Sequence, residues 1–310
     1  MEFLQAVISS IVTGSLYALM AYGLTITLGS IRIYNWAYAE YVTISAYVTA
    51  VLSSRYFINV LLCFPISLAS AILVSILVDE LVYKPLTKRG ATIIQLMLAG
   101  IAAGLLVRYI VYIFASINNV VIIKAAYASR TILVYDTLVI TDLDVVAILV
   151  TLLMMVTFHF ILLKTLLGKQ IRAMWDNFEL ARLSGVKVYM VRRFVCVLVG
   201  IPAGIIGSLW SIYSTVTPTT GWGLLLPAFA AVIVGGLVSI PGAIVGGYLL
   251  GIGENLLMLI AYRVFNISLA YKPLIMLLIM LIALFIRAEV IPFKPIAVNI
   301  YRFIFKRGEA

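Results

Sequence analysis

Nine long apolar stretches follow one another along this chain of 310 residues, and they constrain its fold more than any other feature. A helix that crosses a membrane needs about 20 mainly apolar residues, because a rise of about 1.5 Å per residue must cover about 30 Å of hydrocarbon. The chain is 64% hydrophobic and only 11% charged, which is too few charges to solvate a globular domain of this size. We therefore predict an all-α, polytopic integral membrane protein with about eight to nine transmembrane helices. The stretches lie at 4–29, 33–53, 57–83, 91–117, 143–166, 193–216, 225–239, 241–261 and 271–291.

Residues 225–261 leave the number of spans open. Two prolines and two glycine pairs interrupt the apolar pattern there, so the segment forms either two spans or one broken, re-entrant element. The glycines favour either close packing between helices or a hinge, and the sequence does not separate these alternatives. The interrupting residues are Pro227, Gly235, Gly236, Pro241, Gly246 and Gly247.

The distribution of Lys and Arg predicts the orientation of the chain, because basic residues are retained on the cytoplasmic side of membrane proteins. Nine spans threaded from an external N-terminus place most of the 22 basic residues inside, in clusters at 84–89, 164–193 and 287–307. The C-terminus is then cytoplasmic, and residues 118–142 form the longest external loop. These cytoplasmic clusters explain the net charge of +10, so we expect membrane lipid around the chain and no nucleic acid.

The chain shows no change in composition that would separate soluble domains, so we predict one membrane domain over residues 1–310. The first apolar stretch has no basic residue before it, unlike a signal peptide, and we expect it to be a retained helix.

The longest cytoplasmic loop, residues 168–190, has an amphipathic pattern that predicts a helix from Arg172 to Gly185 along the membrane face. Gly185 stands where glycine commonly caps a helix C-terminus. A plain solvated connector between two spans is the alternative. One flank of the helix carries Ile171, Trp175, Phe178, Arg182 and Leu183, and another carries Arg172, Asp176 and Glu179.

The order Glu179-x-Ala181-x-x-x-Gly185 in this loop resembles the cytoplasmic loop motif of ABC transporter permeases. Over nearly its full length the chain resembles the permeases of branched-chain amino acid ABC importers. Besides the loop, the likeness rests on Gly14–Leu19 with Gly23-Leu24-Thr25, on Asn35–Glu40, on Arg182–Val186 and on the Gly-rich run Val234–Gly247. Tyr38 and Ala39 depart from the family, which commonly has His and Gly there, so any role for an imidazole at that place is in doubt.

The resemblance implies a permease subunit in the plasma membrane of a prokaryote, which conducts branched-chain amino acids or related small polar solutes. It implies ABC ATPase subunits that bind ATP and Mg on their own chains, a second permease that is related but distinct, and an extracytoplasmic substrate-binding protein. The loop helix would contact the ATPase through Arg172, Asp176, Glu179, Ala181, Arg182 and Gly185. We expect no cofactor, metal or catalytic residue on this chain.

Residues that could line the path or gate it lie in two of the resembling stretches: Asn35, Glu40, Gly235, Gly236, Gly246 and Gly247. Glu40 either lines the path or braces neighbouring helices, or it is an interfacial carboxylate solvated at modest cost. Arg108 lies deep in the fourth stretch and needs a partner, for which Glu254 is the first candidate. His159, in the fifth stretch, favours a hydrogen bond to a neighbouring helix.

Two other classes of function remain as alternatives. A secondary transporter or channel would work without ATP, and the absence of a copurifying ATPase would identify it. A membrane-embedded enzyme would need a polar cluster at one depth, which the sequence does not show. The chain has no Gly-x-x-x-x-Gly-Lys-Ser/Thr loop, no His-Glu-x-x-His and no Cys-x-x-Cys, so any ATPase must be another chain.

Overall fold

The computed structural model describes residues 2–135, 138–268 and 271–287, with the side chains of all of these except 2, 135, 138, 179, 286 and 287. The predicted cytoplasmic C-terminus and most of the basic cluster at 287–307 lie outside the described residues. Twelve α-helices and one β-hairpin make up the described chain. The helices are α1 Glu2–Ile31, α2 Tyr38–Arg55, α3 Val60–Val78, α4 Lys84–Lys88, α5 Ile93–Ile117, α6 Asp142–Lys164, α7 Leu166–Asp176, α8 Phe178–Leu183, α9 Val188–Tyr213, α10 Thr220–Gly235, α11 Ile240–Phe265 and α12 Lys272–Arg287.

Each of the nine apolar stretches corresponds to one of these helices. Six helical segments within the described residues are both long and apolar enough to cross a membrane, so the predicted polytopic, helical membrane fold is confirmed. They are Phe3–Ile31, Val60–Lys88, Ile93–Ile117, Asp142–Lys164, Val188–Tyr213 and Ile240–Phe265. The helices α10 and α12 are apolar but shorter, so the count of eight or nine spans stays a prediction.

Helix α2 lies at the centre of the bundle, where it packs against α3, α5, α9 and α10. Its hydroxyl groups bond to protein instead of facing lipid: Ser45 Oγ donates to Gly204 O (2.6 Å) and Thr49 Oγ1 to Ser208 Oγ (3.0 Å). A polar helix is tolerated inside a membrane when protein covers it, because its polar groups then find partners. This cover explains why α2 has fewer apolar residues than its neighbours.

Close contacts between helix backbones hold the centre of the bundle together. A Cβ at Gly204 of α9 would lie 2.7 Å from Leu68 Cα of α3, and one at Gly251 of α11 would lie 2.5 Å from Gly14 Cα of α1. Small residues allow helices to approach closely in a bilayer, where dispersion contacts replace the hydrophobic effect as the main attraction between helices. The peripheral helices α5 and α6 instead turn large apolar side chains outward, such as Leu106 (61% exposed) and Leu153 (64%).

The two ends of the bundle carry different structures. At one end, which we call the hairpin end, strands β1 (Thr131–Tyr135) and β2 (Leu138–Thr141) pair antiparallel within the predicted external loop. The hairpin contacts the start of α1, because Val139 N donates to Gln5 Oε1 (3.0 Å). At the opposite end, the loop end, α7 contacts the other terminus of α1, and α8 follows α7. The hairpin is a small local exception to the predicted all-α fold.

Candidate functional site

The prediction of one continuous helix from Arg172 to Gly185 was wrong. The segment forms two helices. The chain breaks at Asn177, which has extended dihedral angles (φ −154°, ψ 109°). The Asn177 side chain caps the second helix, because its Oδ1 accepts from Leu180 N (3.0 Å). Asparagine competes with the helix for such hydrogen bonds and favours N-cap positions. The result is two short helices, α7 and α8, with different surroundings.

Helix α7 is fixed to the end of α1. Trp175 Nε1 donates to Ser30 Oγ (2.8 Å), and Arg32 Nη2 donates to the carbonyl oxygens of Trp175 (3.2 Å) and Asp176 (3.1 Å). Ile171 is fully buried beneath the helix. Nothing in the local sequence pattern predicts this role for Arg32. These contacts make α7 a rigid continuation of the membrane bundle.

Helix α8 presents much of its surface outward. Leu180 is 61% exposed and Leu183 is 83% exposed, while Arg182 is also exposed. Ala181 is only 4% exposed and packs within its own chain. Because of the break at Asn177, the flank predicted to be continuous divides into a buried part on α7 and an exposed part on α8. The side chain of Glu179 lies outside the described part of the structure.

Gly185 ends α8 as predicted. Its φ is +85°, Gly185 N donates to Arg182 O (3.2 Å), and Val186 N donates to Ala181 O (3.1 Å). This pair of hydrogen bonds is the Schellman arrangement, which needs a left-handed residue at the position of Gly185. Nothing lies within 4 Å of a Cβ placed at Gly185. Within this chain the glycine is therefore required by its backbone angle and not by a close neighbour.

A buried ion pair lies next to this segment and was missed from the sequence. Arg192, near the start of α9, donates from Nε to both carboxylate oxygens of Asp79 (2.7 and 2.9 Å). The two residues are each 3% exposed. Asp79 begins the π-helical turn Asp79–Tyr83 that connects α3 to α4. The adjacent pair Glu80–Arg193 (2.7 Å) is far more exposed. The sequence carried a signal for this ion pair: Asp79 and Glu80 are adjacent near the end of an apolar stretch, and Arg192 and Arg193 are adjacent elsewhere.

Glu40 and Arg108 form an ion pair inside the bundle. Glu40 Oε1 accepts from Arg108 Nε (3.0 Å) and Nη2 (2.5 Å), and Glu40 is 1% exposed. Glu40 therefore braces α2 against α5, and the interfacial alternative does not hold. The suggested Arg108–Glu254 pair was wrong, because Glu254 accepts from Tyr17 (2.8 Å) and lies 3.9 Å from Lys272. At 1.5 Å per residue, Arg108 lies about 22 Å from the first residue of α5 and about 14 Å from the last.

The first residues of two helices meet beside this ion pair. Helix α2 begins there, and Gly104 of α5 would place a Cβ 3.3 Å from Ala37 Cα. Helix α10 begins there too, since Gly221 N donates to Thr43 Oγ1 (3.1 Å). Both helices thus start within the depth of α5 and not at its ends. Non-helical backbone at such depth is tolerated only where protein or water surrounds it.

An aromatic ring packs against the Arg108 guanidinium, and two further rings follow it. Arg108 Cζ lies 4.6 Å from the centroid of the Trp222 ring, and Trp222 lies 5.6 Å from Trp36. Trp36 in turn lies 5.0 Å from Phe229. Trp222 is 38% exposed, and a Cβ at the neighbouring Gly223 would meet nothing within 4 Å. Trp222 is not predictable as a site residue, because nothing in the local sequence pattern connects it to Arg108.

Asn35 lies in a closed polar cluster near the loop end. Its Oδ1 accepts from Tyr83 OH (2.9 Å), its Nδ2 donates to Tyr41 OH (3.5 Å), and it is 4% exposed. The adjoining cavity of about 10 Å³ holds at most a water molecule. In this conformation Asn35 ties the irregular segment before α2 to the π-helical turn.

The predicted glycines lie where α10, α11 and α1 touch. A Cβ at Gly235 would clash with Gly242 O, one at Gly246 with Ala231 O, and one at Gly247 with the backbone of Ala18. These contacts favour close packing over a hinge at the three positions. Gly236 (φ +97°) instead ends α10. Residues 225–261 therefore form two helices, joined by a turn.

His159 is exposed on α6, where with Arg172, Trp175 and Pro241 it lines a cavity of about 250 Å³ at the loop end. Among the described residues it makes no hydrogen bond, contrary to the expectation for it.

Comparisons with known proteins agree with the fold and with the resemblance. A family model described as "Branched-chain amino acid transport system / permease component" matches residues 6–284. The chain is 31% identical over 282 residues to the probable branched-chain amino acid transport permease protein LivH of Methanocaldococcus jannaschii, covering 89% of this chain and 88% of that one. It is 24% identical to the high-affinity branched-chain amino acid transport system permease protein BraD of Pseudomonas aeruginosa, covering 82% and 85%. The corresponding LivH of Escherichia coli K12 is 25% identical, with the same coverage of 82% and 85%.

Proposed function

Because the chain belongs to the family of branched-chain amino acid transport system permease components, we propose that it forms the translocation path of an ABC importer for branched-chain amino acids or related small polar solutes. The family is a membrane subunit of a transport system and not an enzyme. In this proposal ATP and Mg bind to separate ATPase subunits, and the chain itself conducts and gates.

The observation that carries the proposal is the construction of the loop end. Helix α7 is bonded to α1, and the chain then passes through α8 directly into α9. Helix α9 packs against α1, α2 and α3 in the centre of the bundle. A force applied to α8 would thus reach α1 through α7, and α9 through the chain that follows α8. Both connections are short and rigid. A motor bound at α8 could move the spans only if its contacts differ between two states of the bundle.

We place the ATPase on the exposed surface of α8, where Leu180 and Leu183 stand out from the chain. The surface also carries Arg182, and the neighbouring α7 contributes Arg172 and Asp176 from the predicted contact set. The basic residues of this end support a cytoplasmic location, in the plasma membrane of a prokaryote. The hairpin end would then face outward, with an external N-terminus, toward the substrate-binding protein. A second, related permease would complete the path.

A pull-down from mild detergent tests this proposal. The tagged chain is purified with its partners, and the eluate is analysed by mass spectrometry and for ATPase activity. We expect an ATPase to copurify with the wild type and to be lost with Leu183→Glu, because a carboxylate replaces an apolar side chain that is 83% exposed.

Arg89→Gln is the matched control, since it changes the charge at the same end by one unit but lies outside α8. It should retain the ATPase. Active uptake by a chain that copurifies with no ATPase would instead indicate an ATP-independent transporter or channel.

A further inference from the structure

Within the described part of the chain, Arg108 has a free hydrogen-bond donor and a partly exposed side chain, neither of which is needed to brace α2 against α5. Glu40 takes hydrogen bonds from two guanidinium nitrogens of Arg108, and the third nitrogen, Nη1, donates to no residue in the described chain. The Arg108 side chain is 13% exposed, so it is not sealed inside the protein. An arginine at this depth in a span faces a water-filled cavity or the interior of an assembly, because exposure to hydrocarbon is costly.

An aromatic ring lies against the Arg108 guanidinium and is the first of a row of three rings. Trp222 packs against the guanidinium, Trp36 packs against Trp222, and Phe229 of α10 packs against Trp36. A Cβ at Gly223, the residue after Trp222, would meet no atom within 4 Å. A cation beside apolar rings suits a ligand that has both a carboxylate and a hydrocarbon part.

The charge of this site also points to a class of ligand. Glu40 and Arg108 together have no net charge, so their surroundings suit a zwitterion better than a free anion or cation. An α-amino acid with an apolar side chain combines a carboxylate, a hydrocarbon group and zero net charge. Tightly buried sites of purely apolar character would not orient such a molecule.

We propose that Arg108, Trp222 and Trp36 line the water-filled translocation path and contact an α-amino acid with an apolar side chain. The Nη1 group of Arg108 donates to the substrate carboxylate, and the two indole rings pack against the substrate side chain. Glu40 acts as a positioning residue that holds the guanidinium. This inference rests on the proposed function, because it names the contact site within that path.

The variant Gly223→Cys places a thiol at an exposed position next to Trp222 in the chain, without a steric clash. The full transporter, with its partner subunits, is reconstituted in proteoliposomes and treated with a charged methanethiosulfonate reagent. The native Cys63 and Cys196 are buried and give the background. Leu153→Cys, in the middle of α6 and 64% exposed, is the matched control for a lipid-facing position.

We expect Gly223→Cys to react about ten-fold or more faster than Leu153→Cys, because the thiolate and the charged reagent both require water. Leucine should slow the reaction, and 3-methylbutylamine, which lacks the carboxylate, should not. Adding Trp222→Ala should raise the leucine concentration that gives half-protection, while Trp222→Phe should restore most of it. Arg108→Lys should weaken protection even if assembly is normal, because an ammonium lacks the planar set of donors.

Equal reactivity of the two cysteines would overturn the proposal, since lipid or the second permease would then cover this face. Fast reaction without protection by leucine would also overturn it, because the face would be wet but not a contact site. If Gly223→Cys does not assemble, Thr219→Cys, one turn earlier and also exposed, replaces it. Failure of the proposed function is distinct: the wild type would then show leucine uptake without ATP, whatever the thiol results.

Discussion

Replacing Asp79 with Asn removes the only carboxylate that the structure places against Arg192 among the described residues. The two residues are each 3% exposed, so water cannot solvate the Arg192 charge that is left unpaired. Asparagine has a similar size and keeps one acceptor, which limits the change mainly to electrostatics. Breaking a buried ion pair on one side costs about 3–5 kcal/mol, because the remaining charge is left uncompensated. We therefore expect Asp79→Asn to lower the folded-to-unfolded ratio by about a hundredfold or more.

Reversible unfolding of the purified chain in mixed micelles, with increasing SDS and detection by tryptophan fluorescence, measures this loss. Arg192→Gln should be similarly harmful, whereas Asp79→Asn combined with Arg192→Gln should cost less than the sum of both, since neither charge then remains unpaired. Arg193→Gln is the matched control on the next residue. Its partner Glu80 is solvent-accessible, and exposed pairs contribute little.

An unchanged midpoint for Asp79→Asn would refute this reasoning, as would strict additivity in the double variant. The first result would mean that solvent reaches Arg192. The second would mean that the two side chains stabilise the bundle independently.

Two further predictions concern the loop end. Gly185→Val should raise the number of ATP molecules hydrolysed per leucine imported, because a β-branched residue at φ +85° disrupts the end of α8. Gly185→Asn should keep the wild-type ratio, because Asn tolerates left-handed angles. An equal ratio in both variants would argue against a role for that turn. Trp175→Phe should destabilise the chain by about 1 kcal/mol in the same SDS assay, because Ser30 loses its hydrogen-bond donor. A variant as stable as the wild type would show that this hydrogen bond does not hold α7.

The sequence predicted the elements whose causes are local. Apolar stretches of sufficient length indicated every main helix, because crossing a bilayer imposes length and composition on each span separately. Gly185 was assigned correctly, since the demand for a left-handed residue arises within one turn of chain. The family resemblance added the broad function.

Features that depend on contacts between distant segments were missed or misassigned. Arg108 needed a carboxylate, but two buried candidates, Glu40 and Glu254, were compatible with the sequence, and only the crossing of α2 and α5 selects the first. Trp222 carried no local signal at all. The break at Asn177 was local and could have been predicted, because Asn is a strong N-cap; the amphipathic pattern on both sides concealed it.

The central position of α2 has a consequence for the way this chain is made. Helices leave the insertion machinery in the order of synthesis, and α2 emerges long before α9, which covers its hydroxyl groups. Until then those two groups lack the partners that they have on α9, and α2 is poorly suited to stand alone among lipid chains. By contrast Glu40 is already present when Arg108 arrives on α5, so the ion pair can form as α5 enters. Biogenesis of this bundle therefore requires that α2 be protected from lipid until α9 is synthesised. Truncation before α9 should expose α2 to quality-control proteases.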